Sequence, residues 1–295
     1  MDSPHGAPHG ISVSATGFGL KGPRGWAFRD VGIDAGPGAL IAVEGPSGTG
    51  RTCLLLALTG RMRPTEGHAA VGRMRLPKQM AAVRRISALG PVPGVTDLDP
   101  ALTVREHLHE RALLQRRFGG ALRSLLRPRA ERKAAARQRI DAALEAAGLD
   151  LDALPKGPRT SVRDLERLEA LRLSVALALI GGPRLLGVDD VDLKLSDAER
   201  AEAWALLRSV ADGGVTVVAV CSEAPEGAVV VSTAPKPDTA TADEKTADEK
   251  TAEEDTTGDD RSGEDKSGDE KAGDEKAAGD DTKGAADALA ETGRA

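Results

Sequence analysis

Residues 45–52 read Gly45-Pro46-Ser47-Gly48-Thr49-Gly50-Arg51-Thr52. This run fits the pattern G-x-x-x-x-G-K-[ST], except that arginine replaces the lysine. Residues 39–44 before it are typical of a buried parallel strand, and residues 52–59 are typical of an apolar helix. Glycines let backbone N–H groups converge on phosphate oxygens, and the helix start adds the positive end of its dipole. This context favours a phosphate-binding loop made by all eight residues over a plain glycine turn, and it predicts that the Thr52 hydroxyl binds Mg²⁺.

Arginine at position 51 changes the chemistry of the predicted loop. Lysine delivers a compact point charge to the β- and γ-phosphates of a nucleotide, whereas the guanidinium of Arg51 is larger, planar and bidentate. Phosphate binding tolerates this change, but the geometry around a transferred γ-phosphoryl group shifts. The loop therefore predicts nucleotide binding together with slow hydrolysis.

A second acidic site follows another buried strand. Residues 185–188 are apolar, and Asp189 and Asp190 come directly after them. A phosphate-binding loop needs an acidic partner at the end of a neighbouring strand, where the carboxylate holds Mg²⁺, and we assign that role to Asp189. Asp190 stands where a general base could orient the attacking water, which makes it the candidate catalytic residue.

Composition divides the 295-residue chain into two parts. Residues 234–295 are low in bulky apolar side chains and carry about 20 acidic and 9 basic groups, so the rest of the chain is net positive although the total is −6. We expect residues 1–10 to be flexible, residues 11–233 to form one folded domain, and residues 234–295 to be a disordered acidic tail. The tail either solubilises the protein or folds back onto the basic residues 111–139.

Targeting and redox signals are few. The first ten residues lack the basic and apolar regions of a signal peptide, and no run of 18 apolar residues occurs. The two cysteines, Cys53 and Cys221, are too few for a disulfide framework. We therefore expect a cytoplasmic protein that needs another polypeptide if it works at a membrane.

Four further segments, taken in order and spacing with the loop, give the chain a family resemblance. They are Trp-Ala-Phe-Arg-Asp-Val at 26–31, Leu-Thr-Val-Arg-Glu-His-Leu at 102–108, Ala-Leu-Ala-Leu-Ile-Gly-Gly-Pro at 176–183 and Thr-Val-Val-Ala-Val at 216–220. Over residues 11–232 the chain resembles the ATP-binding cassette (ABC) family. The resemblance implies an α/β P-loop NTPase sandwich with a mainly parallel core sheet, an antiparallel β subdomain and an inserted helical subdomain at about 96–178. It also implies ATP and Mg²⁺ as cofactors, Asp189 as the Walker B aspartate, and Asp190 in place of the catalytic glutamate.

Several positions depart from the family pattern. The signature Leu-Ser-Gly-Gly-Gln falls on Leu-Glu-Arg-Leu-Glu at 165–169, which we interpret as an amphipathic helix whose carboxylates would repel a phosphate. No glutamine stands near residues 90–91, and Ser222 occupies the place of the switch histidine. The usual adenine-stacking aromatic is missing, with Trp26 or Phe18 as possible substitutes. These departures predict slow hydrolysis at best.

The sequence is compatible with three functions. The first is an ATP-binding subunit that couples to a separate integral-membrane permease at the inner face of the membrane, within a cassette homodimer or heterodimer. Its basic residues 111–139 are then either a permease contact or a solvated helix face. The second is a non-hydrolysing nucleotide-binding scaffold or regulator. The third, a small-molecule kinase, is disfavoured because the sequence shows no lid or acceptor site. Nucleic acid is not expected as a partner, since aromatic residues are scarce in the basic segment.

Overall fold

A computed structural model of the chain describes residues 10–118 and 128–234. For residues 116–118 and 129 it describes the backbone without the side chains. Most of the predicted flexible N-terminus and residues 235–295 of the predicted tail lie outside these ranges, as do residues 119–127 of the basic segment.

A four-stranded antiparallel sheet forms one layer, in the order β2-β1-β4-β5. Its strands are β1 (Val13–Gly22), β2 (Gly25–Ala35), β4 (Glu66–Val71) and β5 (Met74–Leu76). The glycine-rich residues 17–25 lie mostly within the strands of the β1–β2 hairpin. The register shifts between Ala15 and Phe18 and again near Leu20, so irregular pairing accommodates the glycines without ending the strand.

A five-stranded parallel sheet forms the core, in the order β6-β7-β8-β3-β9. Its strands are β3 (Leu40–Glu44), β6 (Ser87–Leu89), β7 (Leu185–Val188), β8 (Thr216–Val220) and β9 (Val229–Ser232). Every described pairing in this sheet is parallel, with β3 between β8 and β9. Strand β8 lies between β3 and β7, so these two strands are not neighbours in the sheet.

Six α-helices lie within the described ranges. They are α1 (Arg51–Leu58), α2 (Met80–Ile86), α3 (Val104–Phe118), α4 (Arg129–Ala146), α5 (Arg167–Leu179) and α6 (Asp197–Asp212). Two short 3₁₀ turns, Gly157–Arg159 and Val162–Asp164, connect α4 to α5. No helix in the described ranges is both long enough and apolar enough to cross a membrane.

The core strands are apolar on both faces because each face packs against a different layer. In β3, Ile41 and Val43 join a cluster with α1 and the antiparallel sheet, whereas Leu40 and Ala42 join a cluster with α5 and α6. This two-sided burial explains the uninterrupted apolar runs of the core strands. The α/β prediction, with a mainly parallel core sheet and a separate antiparallel sheet, is confirmed.

Candidate functional site

The loop between β3 and α1 is shaped by glycines in conformations that other residues rarely adopt. Gly48 and Gly50 have φ values of 85° and 78°. At Gly50 an added Cβ would lie 2.0 Å from the carbonyl oxygen of Ala27, so strand β2 packs directly against the loop. Thr49 Oγ1 lies 2.7 Å from Thr233 Oγ1 and ties the loop to the end of β9. The glycines are therefore required by the loop geometry.

The start of α1 is not capped by the chain itself. Gly50 is its N-cap, no side chain accepts a hydrogen bond from its first N–H groups, and its first turn contains no acidic residue. Such a helix start combines unsatisfied N–H donors with the positive end of the dipole. It is chemically suited to a phosphate group.

Thr52 and Asp189 meet at the opening of this loop. Thr52 Oγ1 donates a hydrogen bond to Asp189 Oδ2 at 2.8 Å, although 137 positions separate the two residues. Asp189 is 3% exposed, and its second carboxylate oxygen accepts from the N–H of Asp190 at 3.1 Å. Burial raises the pKa of the Asp189 carboxyl, the hydrogen bond from Thr52 opposes that shift, and the charge of Asp190 adds to it. A hydroxyl and a carboxylate at this distance form a pair of oxygen ligands that suits Mg²⁺.

One detail of the sequence prediction is wrong. Asp189 was expected to follow the strand beside the one that carries the loop, but β8 separates β7 from β3. The side chains of Thr52 and Asp189 still meet because α1 packs across the sheet and contacts β3, β7 and β8.

Protein ligands alone do not make a metal centre in the described part of the chain. No group of three or more His, Cys, Asp or Glu side chains there could hold a metal ion. Mg²⁺ commonly retains water and uses one or two protein ligands together with phosphate oxygens. Thr52 and Asp189 fit this type of site.

Asp190 lies on the wall of a cleft of about 720 Å³ in front of the loop, which Gly45, Ser47 and Arg51 also line. Its φ of 47° is left-handed, a conformation that aspartate tolerates better than most residues. The half-buried Asp190 therefore lines the same cleft as the loop, where a catalytic carboxylate is expected. Its nearest sequence neighbour, Asp189, is turned toward Thr52 instead.

Arg51 reaches across the cleft to the end of β8. Its Nη1 donates a hydrogen bond to the carbonyl oxygen of Cys221 at 2.5 Å. Next to this contact, the N–H of Ser222 donates to Asp192 Oδ2 at 2.7 Å. Asp192 was not among the predicted site residues. Its position two residues after Asp190, in the loop that leaves the core sheet, is the only sequence signal that points to it.

The two candidate aromatic residues differ in exposure. Phe18 is fully buried and packs against Phe28 with ring centroids 5.7 Å apart, so it cannot meet a ligand. Trp26 is half-buried in β2, next to the residue that touches Gly50, and its ring lies near Lys21 at 5.6 Å and Arg29 at 5.1 Å. Trp26 is therefore the aromatic side chain that can offer a stacking surface near the loop.

The segment 165–169 forms the start of α5. The N–H of Glu166 donates to Glu169 Oε2 at 2.9 Å, so the helix start is capped by the carboxylate three residues on. Leu168 and Leu171 are buried, and Glu166 and Arg167 are exposed. The helix begins at Arg167, after Leu165, and the amphipathic interpretation holds only for its first turn, because the consecutive residues 173–176 are all buried. Arg167 Nε donates to the carbonyl oxygen of Leu193 at 3.0 Å.

Comparison with known sequences identifies the relatives of this chain. The family model described as "ABC transporter" matches residues 28–192, which is more than half of the chain. ATP-binding cassette sub-family A member 7 of Rattus norvegicus is 29% identical over 217 residues, which are 74% of this chain and 9% of that protein. Nod factor export ATP-binding protein I of Cupriavidus metallidurans is 29% identical over 186 residues, which are 63% of this chain and 54% of that protein. The matched region thus spans about half of the second relative and much less of the first.

Solved structures share the same fold. The dimeric ATP-binding cassette MJ0796, bound to ADP and Pi after hydrolysis, superposes with a TM-score of 0.54 at 21% identity and covers 72% of this chain and 88% of that one. For cbiO1 from Clostridium perfringens, part of the ABC transporter complex cbiONQ, the TM-score is 0.55 at 17% identity, with 72% and 78% covered. At these identities the likeness shows the fold, and it confirms the predicted P-loop sandwich.

Proposed function

We propose that this chain, which belongs to the ABC transporter family, binds Mg·ATP and couples to a separate membrane permease, hydrolysing ATP slowly. The hydrogen bond between Thr52 and Asp189 carries this proposal. It joins a glycine loop at an uncapped helix start to a buried carboxylate from a different strand. That arrangement provides phosphate donors and metal ligands at one place.

Each residue of the site has a distinct role in this function. Backbone N–H groups of residues 45–52 bind the inner phosphate oxygens, and Arg51 contacts the outer phosphates. Thr52 and Asp189 hold Mg²⁺, which neutralises phosphate charge when bound. Asp190 accepts the proton of the attacking water. Trp26 provides the surface on which the adenine ring stacks.

Two features of the described residues support slow turnover. Aspartate at position 190 is shorter than glutamate by one methylene, and a misplacement of about 1 Å at a reacting centre can cost about 100-fold in rate. The start of α5 carries the carboxylates of Glu166 and Glu169, and Glu169 accepts the N–H of Glu166, so the negative charge at this helix start would repel a phosphate. Both features reduce catalysis without removing the binding loop.

The relatives support partners of two kinds. The names of two similar proteins refer to an export ATP-binding protein and to a part of a transporter complex, and MJ0796 was solved as a dimer. By analogy, this chain pairs with an integral-membrane permease at the inner face of the membrane and with a second cassette. In a homodimer, the helix start opposite each nucleotide would carry the carboxylates of α5. In a heterodimer, a second cassette without these carboxylates could contribute free N–H groups to the nucleotide bound by this chain.

A nucleotide-binding scaffold or regulator is the second candidate function. The observation that favours it is again the carboxylate-capped start of α5. In that case ATP stabilises the fold or a dimer, and turnover plays no part.

Turnover by position-190 variants separates the two candidates. We expect the purified chain to hydrolyse Mg·ATP slowly, Asp190→Glu to raise the rate about tenfold or more, and Asp190→Asn to abolish it. Thr52→Ala should lower Mg·ATP affinity about tenfold or more and abolish turnover. Tight Mg·ATP binding with no turnover in wild type or Asp190→Glu, even with co-purified permease present, would establish the scaffold. Co-purification of a polytopic membrane protein with the tagged full chain tests the partner directly, and its repeated absence from membrane extracts would contradict the transport role.

A further inference from the structure

The peptide group that joins Cys221 to Ser222 is held at both ends by charged side chains. Its carbonyl oxygen accepts a hydrogen bond from Arg51, and its N–H donates to Asp192. A cation at the oxygen and a carboxylate at the N–H both match the dipole of the peptide, so the two charge-assisted bonds fix its orientation. We call Arg51, Asp192 and this peptide the peptide clasp.

Three segments of the chain meet at the peptide clasp. Arg51 is the first residue of α1, Asp192 belongs to the loop after β7, and the peptide follows the last residue of β8. The N–H of Cys221 also donates to the carbonyl oxygen of Val43 at 3.0 Å, which anchors the peptide to the strand that carries the phosphate loop. The peptide clasp is thus rigidly connected to the core sheet.

The peptide clasp forms the far wall of the cleft. Arg51, Asp192 and Ser222 line this cleft of about 720 Å³ together with Gly45 and Ser47 of the loop. A guanidinium has five N–H donors, and the bond to Cys221 uses one of them. The remaining donors can bind an oxyanion in the cleft that Arg51 lines.

We propose that the peptide clasp makes the cleft selective for nucleoside triphosphates over diphosphates. Arg51 contacts the terminal phosphate, and Asp192 is a positioning residue that acts through the 221–222 peptide. When Asp192 holds the peptide in place, the Cys221 carbonyl keeps the guanidinium at the distance of a third phosphate. This inference rests on the proposed nucleotide binding and adds a selectivity mechanism to it.

The peptide clasp and the charge of Asp192 predict opposite changes in the preference for ATP over ADP when Asp192 is replaced. Glu44, Asp190 and Asp192 all line the cleft, so their carboxylates oppose a triphosphate more strongly than a diphosphate. If Asp192 acted only through its charge, removing that charge would increase the preference for ATP over ADP. The peptide clasp predicts the opposite, because loss of the acceptor releases the peptide.

The experiment compares Asp192→Ala with Asp192→Asn in the full chain. Both changes remove the negative charge, but asparagine keeps a side-chain oxygen that can accept from the N–H of Ser222. We expect Asp192→Ala to lower the ratio of Mg·ATP to Mg·ADP affinity about tenfold, as measured by calorimetry, and Asp192→Asn to restore the ratio. Amide exchange of a peptide fragment that contains Ser222 should accelerate in the alanine variant alone, while unchanged Mg·ADP affinity shows that the fold is intact.

The possible results distinguish this inference from the proposed function. An unchanged or increased ratio in Asp192→Ala, with both nucleotides still bound, overturns the peptide clasp and leaves nucleotide binding standing. Equal reductions in the alanine and asparagine variants also overturn it, because the effect would then not depend on the side-chain oxygen that asparagine keeps. A wild-type chain that binds neither nucleotide overturns the proposed function first, and the selectivity mechanism with it. If Asp192→Ala does not fold, Asp192→Leu provides the second test, since it also lacks an acceptor for the N–H of Ser222 but fills more of the space, and it should lower the same ratio.

Discussion

Helices α1 and α5 begin in opposite ways. The start of α1 has a glycine N-cap and no acidic side chain in its first turn, whereas the start of α5 has glutamates at positions 166 and 169, and the second accepts the N–H of the first. The positive helix end thus lacks carboxylates in its first turn in α1 and has two carboxylates beside it in α5. Under the proposed function, the start of α1 is the phosphate-binding end of this chain, and the start of α5 does not bind phosphate.

The different helix starts explain how nucleotide binding can persist while hydrolysis is slow in the proposed function. The binding half depends on residues within one chain, Thr52 and Asp189, which lie 2.8 Å apart. Catalysis depends on the groups that the start of α5 presents to the nucleotide of a second cassette. These groups include carboxylates, which repel phosphate. A cassette can therefore keep its nucleotide affinity after it loses its contribution to turnover.

The largest expected effect concerns the glycine at the start of α1. Gly50→Ala places a Cβ 2.0 Å from the carbonyl oxygen of Ala27 at a φ of 78°, so it should destabilise the fold by about 3 kcal/mol or more and abolish nucleotide binding. Gly48→Ala is the matched control, because its φ of 85° is also left-handed but no atom lies within 4 Å of the added Cβ. Its cost should be about 1 kcal/mol. Urea unfolding of both variants measures the contrast, and equal losses would show that β2 does not constrain the loop.

A smaller effect is expected at Asp189 in the absence of metal and nucleotide. Burial raises the pKa of this carboxyl, so the folded state favours its neutral form and its charge lowers stability at neutral pH. Asp189→Asn, which keeps the shape and can still bond to Thr52, should therefore raise the unfolding midpoint at pH 7 by a few degrees.

The pH dependence checks the sign of that effect. As the pH falls through the raised pKa of Asp189, the wild-type carboxyl becomes neutral too, so the difference between the two proteins should disappear towards pH 4. Thermal unfolding of both proteins in chelator-containing buffer, at a series of pH values, measures the difference in their unfolding midpoints. A lower midpoint for the asparagine variant at pH 7, or a gap that grows in acid, would contradict the burial cost.

The smallest expected effect is at the start of α5. Glu169→Ala removes the carboxylate that accepts the N–H of Glu166, and should cost about 0.5–1 kcal/mol of stability with no change in Mg·ATP affinity. Glu145→Ala, at an exposed position of α4, is the control and should change stability by less than about 0.5 kcal/mol. A change in nucleotide affinity of the isolated Glu169→Ala chain would mean that the two helix starts are not independent.

The sequence was sufficient to predict which residues the structure brings together at the start of α1, because the signals for them are local. The glycine loop, the apolar strand before it and the Asp189–Asp190 pair each occupy a few consecutive residues with a direct physical meaning. The α/β class follows in the same way from the alternation of apolar runs. The burial of Leu168 and Leu171 was also predictable, since these leucines recur at helical spacing.

Other features depend on distant contacts that no local pattern contains. The contact of Arg51 with Cys221 and that of Asp192 with Ser222 join residues 170 and 30 positions apart. The place of β8 between β3 and β7 is a property of the whole sheet. The glycines of residues 17–25 are typical of a turn, but here most of them lie in paired strands where the register shifts. In each case tertiary packing overrides the local signal.

Calorimetric titration of the full chain with ATP, with and without Mg²⁺, tests the central claim most directly. We predict one ATP per chain with Mg²⁺ present, much weaker binding in excess chelator, and at least about a tenfold loss of Mg·ATP affinity in Thr52→Ala. Absence of heat with Mg·ATP, or an affinity that neither the chelator nor Thr52→Ala changes, would show that Thr52 and Asp189 do not form a nucleotide and metal site.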